Sequence, residues 1–91
     1  MLAKIILYVI SGCAACNIQK HNIEEALKQT KKKGIEFEVI NLEDIPKREK
    51  RHLQINDVPV TCFYQNDVQV FHYEGSYPTT VINRWIDIYI K

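Results

Sequence analysis

The chain has 91 residues, of which 46% are hydrophobic, and this is enough for one compact domain but not for two. Twelve Lys and Arg residues against eleven Asp and Glu leave a net charge of +1, which gives no argument for binding to nucleic acid or to an acidic membrane. Three cysteines are too few, and odd in number, for the disulfide framework of a small secreted protein.

The first ten residues contain an apolar run that is too short for a leader peptide or a membrane span. Only residues 5–10 are continuously apolar, whereas the apolar region of a signal peptide has about 7–15 residues. No run in the chain approaches the roughly 18 residues that are needed to cross a bilayer. We therefore expect a soluble cytoplasmic protein that has no membrane partner.

The first half of the chain predicts a strand, a long helix, a second strand and a short helix. Residues 4–10 are continuously β-branched and aromatic, which is typical of a strand buried on both faces. Residues 13–33 are helical in composition, and the lysines at 31–33 would complement the C-terminal end of that helix. Residues 35–42 alternate as a less buried strand, and residues 46–53 form a short charged helix. The long helix is predicted to bury one face, made of Ala15, Ile18, Asn22, Ile23, Ala26, Leu27 and Thr30.

The second half of the chain predicts a β-hairpin and a final helix. Residues 60–64 and 68–73 read as strands, and Asn66-Asp67 tolerate the positive φ of a tight turn between them. Residues from 78 onwards form a helix whose apolar stripe contains Ile82, Trp85, Ile86 and Tyr89. The order β-α-β-α-β-β-α places the first two strands parallel and the hairpin antiparallel. We expect one α/β domain over residues 1–91, with a four-stranded mixed sheet flanked by helices.

Two cysteines separated by two alanines, Cys13 and Cys16, lie where the first strand ends and the long helix begins. Unpaired backbone N–H groups and the positive end of the helix dipole favour an anion at that point. The pKa of the Cys13 thiol should therefore lie below its ordinary value. Cys16 lies one turn further into the helix and should be more covered. This asymmetry suits disulfide exchange, with Cys13 as the nucleophile and Cys16 as the residue that resolves the mixed disulfide.

The residues leave two other interpretations of this pair open. Soft thiolates select copper(I), so a carrier of copper(I) or zinc could use the same two sulfurs. A zinc site would normally need two more ligands, and neither Cys62 nor the three histidines show the paired spacing of such a site. The pair could also be incidental in a non-catalytic adaptor. A cytosolic Cys-x-x-Cys beside a βαβ unit favours redox exchange, and Cys62, in an apolar strand, is expected to be a buried and inert thiol.

The order of these features resembles the thioredoxin-like superfamily over essentially the whole chain. A strand, Cys-Ala-Ala-Cys, a long helix, a strand, a short helix, Val58-Pro59, a hairpin, a glycine and a final helix follow one another. Residues 53–59 resemble the thioredoxin segment that leads into its cis-proline, whereas the short N-terminus is similar to that of glutaredoxin. The resemblance implies a thioredoxin-like fold and a cis Val58–Pro59 bond beside the cysteines. A substrate segment could then pair with the backbone of Val58.

The resemblance also implies a docking role for Gly75, Ser76 and Tyr77 near the redox pair. Three features depart from the thioredoxin pattern: Gly12 replaces a tryptophan, the two alanines replace a loop with proline, and Leu7 replaces a buried carboxylate. The resemblance implies a small monomeric thiol–disulfide oxidoreductase that reduces protein disulfides without a cofactor or a metal. Such a protein would take part in electron transport and cell redox homeostasis. Its partners would be a disulfide-containing protein and a recycling reductase, either thioredoxin reductase or the glutathione system. A glutathione-dependent glutaredoxin is the alternative.

Overall fold

The computed structural model describes residues 2–53, 55 and 57–91, so Gln54 and Asn56 of the thioredoxin-like segment 53–59 lie outside the described residues. A short 3₁₀ turn, Leu42–Asp44, precedes the second α-helix. The elements are β1 (Ala3–Val9), α1 (Ala14–Gln29), β2 (Ile35–Asn41), α2 (Lys47–Leu53), β3 (Val60–Gln65), β4 (Val68–Glu74) and α3 (Thr79–Tyr89). The predicted order β-α-β-α-β-β-α is confirmed.

The four strands form one mixed sheet in the order β2-β1-β3-β4. Strand β1 is central, parallel to β2 and antiparallel to β3, and its Ile5 and Leu7 are fully buried. Tyr8 pairs with Ile40 on one side and with Val60 on the other. The C-terminal ends of β1 and β2 and the N-terminal end of β3 therefore meet at one end of the sheet, which we call the cysteine edge.

The helices cover the two faces of the sheet unequally. Helices α1 and α3 pack on one face and enclose the larger core, which includes Ile5, Leu7, Ile23, Phe63, Ile82 and Ile86. A smaller cluster under α2 covers part of the other face and includes Tyr8, Val60 and Cys62. Each fully buried large side chain contributes about 1.5–3 kcal/mol relative to an exposed one, so the α1/α3 layer dominates the stability.

Helix α1 ends earlier than the sequence predicts. It stops at Gln29, and Thr30 has an extended backbone (φ −66°, ψ 145°) while its N–H still donates to the carbonyl of Ala26. The Thr30 hydroxyl accepts the N–H of Lys32 at 3.2 Å, and such a local side-chain bond competes with helix continuation. The prediction of a helix through residue 33 was therefore wrong.

One of the lysines at 31–33 binds the end of a different helix. Lys32 Nζ instead donates to the carbonyls at the C-terminal end of α3, with distances of 3.2 Å to Ile86 and 3.1 Å to Asp87 and a further contact to Ile90. A cation at a helix C-terminus donates to carbonyls of the last turn and interacts favourably with the helix dipole, and here the Ile86 carbonyl also accepts the N–H of Ile90. The sequence indicated the correct chemistry but the wrong helix.

The buried face of α1 also differs from the predicted one. Its buried residues are Cys16, Gln19, Ile23 and Ala26, whereas Ala15 and Ile18 are exposed. These four positions recur every three or four residues and define one helix face. The prediction was correct for Ile23 and Ala26 but was displaced around the first turns of the helix, and so it missed Cys16 and Gln19.

The hairpin and the last helix agree with the prediction. Asn66 and Asp67 have φ values of 53° and 67°, and β3 and β4 pair antiparallel on either side of them. In α3, Ile82 and Ile86 are buried, while Trp85 and Tyr89 pack against the core. Within the described part of the chain, no helix combines the length and the apolar character that crossing a bilayer requires.

Candidate redox site

Cys13 is the N-cap residue of α1. Its backbone is extended (φ −98°, ψ 105°), and its Sγ accepts the backbone N–H of Cys16 at 3.1 Å. The helix that starts here has 16 residues, so its dipole is fully developed at this end. In the reduced protein a Cys13 thiolate would receive a charge-assisted hydrogen bond from the same N–H, which favours the ionised sulfur.

Cys13 and Cys16 form a disulfide in the structure, with their Cα atoms 5.2 Å apart. Cys13 is partly exposed, whereas only 2% of the surface of Cys16 reaches solvent. A reagent that approaches from solvent therefore meets Cys13, and Cys16 lies behind it against the sheet. The pair has one accessible sulfur and one covered sulfur, an arrangement that suits stepwise disulfide exchange.

The loop before Cys13 is held by the end of β2 and the 3₁₀ turn. The N–H of Ser11 donates to a carboxylate oxygen of Glu43 at 2.8 Å, and the side-chain amide of Asn41 donates to the Ser11 hydroxyl at 3.3 Å. Hydrogen bonding from the Ser11 hydroxyl and, to a smaller extent, from the Ser11 N–H lowers the pKa of Glu43. Gly12 has φ +72°, in the left-handed region that favours glycine, so the residue in place of the thioredoxin tryptophan has a backbone role. Sequence reasoning did not identify Asn41 or Glu43.

Val58 and Pro59 lie at the cysteine edge, and the peptide bond between them is cis. Pro59 directly precedes Val60, the partner of Tyr8, and is fully buried, while Val58 is half-buried. The carbonyl of Pro59 accepts the N–H of Gly75 at 2.8 Å, which joins the start of β3 to the end of β4. Two separate parts of the predicted docking surface, Val58-Pro59 and the segment from Gly75, are thereby brought together.

The segment after Gly75 is attached to the helix that carries the cysteines. The N–H of Tyr77 donates to Oε1 of Gln19 at 3.0 Å, and the carbonyl of Tyr77 accepts from Nδ2 of Asn22 at 2.9 Å. Tyr77 as a residue is 38% exposed, and its ring packs edge-on against Trp85, with ring centres 4.9 Å apart. Ser76, just before it, is exposed. Tyr77 thus presents part of an aromatic ring to solvent while α1 fixes its backbone.

Gln19 is the residue of this region that sequence reasoning missed. It is fully buried, and its Nε2 donates to the hydroxyl of Tyr73 at 2.6 Å and to that of Thr61 at 3.2 Å. Burial raises the pKa of Tyr73 to about 12, so its hydroxyl is neutral at physiological pH. The available signal was the spacing: Gln19 is three residues after Cys16 and must share its face of the helix.

The third cysteine lies on the other side of the sheet. Cys62 belongs to the cluster under α2, opposite His72 on β4, whereas its neighbours Thr61 and Phe63 face α1 and α3. Burial raises the pKa of its thiol to about 11. The sheet separates Cys62 from the Cys13–Cys16 pair, and no group of three or more His, Cys, Asp or Glu suited to a metal ion occurs in the described ranges.

Solved structures of low sequence identity share this fold. The chain matches a malarial protein with a TM-score of 0.83 at 13% identity, covering 100% of both chains. It matches thioredoxin-2, a component of malaria parasite protein secretion machinery, with a TM-score of 0.82 at 14% identity over 96% of this chain and 82% of that one. Chloroplastic thioredoxin z gives a TM-score of 0.81 at 16% identity over 96% and 77%.

The chain therefore has the thioredoxin-like fold, as the resemblance implied. No protein-family model matches the sequence, and no curated protein does. At these identities the structural neighbours establish the fold alone. The fold and the Cys13–Cys16 pair at the N-terminus of α1 together support a thiol redox function in general.

Proposed function

We propose that the protein is a small thiol–disulfide oxidoreductase that reduces protein disulfides through Cys13 and Cys16. The observation that carries the proposal is the capping geometry: the partly exposed Cys13 sulfur accepts the N–H of Cys16 at a helix N-terminus. This arrangement stabilises a thiolate on the sulfur that a substrate can reach. The covered Cys16 is then the second member of the redox couple.

The reaction proceeds in two exchanges that balance electrons and protons. The Cys13 thiolate attacks one sulfur of the substrate disulfide, forms a mixed disulfide, and releases the other substrate sulfur as a thiolate that takes a proton from water. Cys16 gives its proton to solvent and attacks the Cys13 sulfur. This step forms the Cys13–Cys16 disulfide and releases the second substrate sulfur as a thiolate, which takes a proton from water. Two electrons from a recycling reductase, thioredoxin reductase or the glutathione system, then restore the dithiol.

The proposed docking surface consists of Val58, Pro59, Gly75, Ser76 and Tyr77. The hydrogen bond from Gly75 to Pro59 supports this grouping, because it joins the two segments at the cysteine edge. An extended substrate segment would pair with the backbone of Val58 beside the reacting sulfur. The partly exposed ring of Tyr77 would supply an apolar contact. In a reducing cytoplasm, the location that we propose, the protein acts as a monomeric reductant.

Turnover of a disulfide-containing protein with dithiothreitol as the electron source tests the assignment. We expect Cys13→Ser to abolish turnover. Reduced Cys16→Ser, mixed with the substrate after dithiothreitol has been removed, should accumulate a mixed disulfide that mass spectrometry detects. Cys62→Ser is the matched control, because it removes a thiol on the opposite face of the sheet and should retain turnover. Full turnover by Cys13→Ser would overturn the proposal.

A second comparison identifies the source of electrons. Turnover with thioredoxin reductase is compared with turnover with glutathione and glutathione reductase, at equal protein concentration. Faster turnover with glutathione would support the glutaredoxin alternative. If instead the purified protein retains stoichiometric copper(I) or zinc on both sulfurs and shows no turnover, the protein is a metal carrier.

A further inference from the structure

We propose that Gln19 is a positioning residue for the redox pair: it fixes the first turns of α1 so that the N–H of Cys16 stays directed at Cys13 when the disulfide is reduced. The inference rests on the proposed redox function of Cys13 and Cys16. None of the described hydrogen bonds joins Gln19 to either sulfur, so Gln19 acts on the pair through the helix.

The Gln19 amide joins three segments of the chain. Its two N–H groups donate to Tyr73 on β4 and to Thr61 on β3, and its oxygen accepts the N–H of Tyr77. Thr61 is two residues after Pro59, and Tyr77 is two residues after Gly75, so both partners continue segments of the cysteine edge. A polar group buried in this way is tolerated only when its hydrogen bonds are made, and both amide N–H groups and the amide oxygen have partners here.

Asn22 extends the same attachment. Gln19 accepts the backbone N–H of Tyr77, and Asn22 donates to the backbone carbonyl of Tyr77. Two side chains one helical turn apart therefore bind both backbone polar groups of Tyr77. The rotation of α1 about its axis is therefore fixed against the sheet and against the segment after Gly75. Because Gln19 follows Cys16 by one turn, this attachment also fixes the direction of the Cys16 N–H.

The direction of that N–H matters more in one redox state than in the other. In the disulfide form the bond between Cys13 and Cys16 itself holds the two residues together, with or without Gln19. In the dithiol form that covalent link is absent, and the Cys13 thiolate depends on the N–H of Cys16 for its hydrogen bond. Loss of Gln19 should therefore destabilise the reduced form more than the oxidised form. The pair becomes harder to reduce, and the pKa of Cys13 rises.

This asymmetry separates positioning from a purely structural role. A buried hydrogen-bond cluster that only supports the fold stabilises both redox forms equally, and its loss leaves the reduction equilibrium unchanged. A positioning residue shifts that equilibrium, because the equilibrium constant reports the difference between the two forms.

The experiment measures the equilibrium of the pair with reduced and oxidised glutathione for Gln19→Met and Tyr73→Phe. Gln19→Met keeps the length of the side chain without its hydrogen bonds, and Tyr73→Phe removes one acceptor and keeps the ring. Lys20→Met, at the next and exposed position of α1, is the matched control. We expect Gln19→Met to lower the equilibrium constant for reduction roughly tenfold, which is about 30 mV for a two-electron couple. Tyr73→Phe should cause a smaller shift in the same direction, and Lys20→Met none.

The alkylation rate of Cys13 as a function of pH supplies a second readout, and its profile should move to higher pH in Gln19→Met. An unchanged equilibrium constant with equal loss of stability in both redox forms would overturn the proposal and leave Gln19 a structural residue. Should Gln19→Met not fold, Tyr73→Phe decides by the same criterion. These measurements need no protein substrate. A protein that equilibrates with glutathione but reduces no protein disulfide refutes the proposed function, while the positioning role is judged separately.

Discussion

Alkylation of the reduced protein should distinguish Cys62 from Cys13 by rate alone. Burial raises the pKa of the Cys62 thiol from the ordinary 9.0 to about 11, and only 7% of the residue surface is exposed. Since only the thiolate reacts, a pKa higher by about two pH units lowers the reactive fraction roughly a hundredfold near pH 8. Limited exposure slows the reaction further. Iodoacetamide should therefore modify the partly exposed Cys13 quickly and Cys62 at least about a hundredfold more slowly than a free thiol of ordinary pKa.

Mass spectrometry of samples quenched at successive times measures the three rates separately. The Cys62→Ser variant should keep the fast modification of Cys13 and lose the slow modification at position 62. Protein unfolded in urea should react at all three cysteines at similar rates. The reasoning would be refuted if Cys62 in the folded protein reacted as fast as it does in urea. That result would mean that the cluster under α2 opens readily and does not protect the thiol.

Two further outcomes concern stability. Lys32→Met should lower the free energy of unfolding by about 1.5–3 kcal/mol, because it removes a charged donor from the carbonyls at the end of α3. The exposed Lys31→Met should change the free energy of unfolding by less than about 0.5 kcal/mol. Equal urea midpoints for the two variants would contradict this prediction. Burial raises the pKa of Tyr8 and Tyr73 from 10.0 to about 12 and that of Cys62 to about 11. Their neutral forms therefore stabilise the fold fully below pH about 9, and this contribution is lost as pH rises towards 12. Urea midpoints that stay constant up to pH 12 would contradict that sign.

The parts of the fold that could be predicted are those that depend on residues close together in the sequence. The continuous apolar run of β1, the alternation of β2 and the Asn66-Asp67 turn are local patterns, and each maps onto one backbone geometry. The order of elements then restricts the sheet topology through the handedness of the βαβ crossover. The position of Cys13 before a helical stretch was likewise readable, because the N-cap role depends only on neighbours in sequence.

The errors arose where a contact joins distant parts of the chain. Lys32 follows α1 in sequence but binds the end of α3, some 54 to 58 positions away. Gln19 resembled a surface residue because a lone glutamine is normally exposed, and only the nearby hydroxyls of Thr61 and Tyr73 permit its burial. Asn41 and Glu43 bind the Ser11 loop only because β1 and β2 end at the same edge.

The sequence by itself thus determined the order of elements and the position of the two sulfurs at a helix N-terminus, since both depend on local sequence patterns. Only the tertiary structure decided which residues hold the helix that carries the pair. The hydrogen bond from Cys16 to Cys13 is local, but its direction depends on how α1 is rotated against the sheet. That rotation is fixed by Gln19 and Asn22 through partners 42 to 58 positions away, and a sequence pattern cannot reveal such pairings in advance.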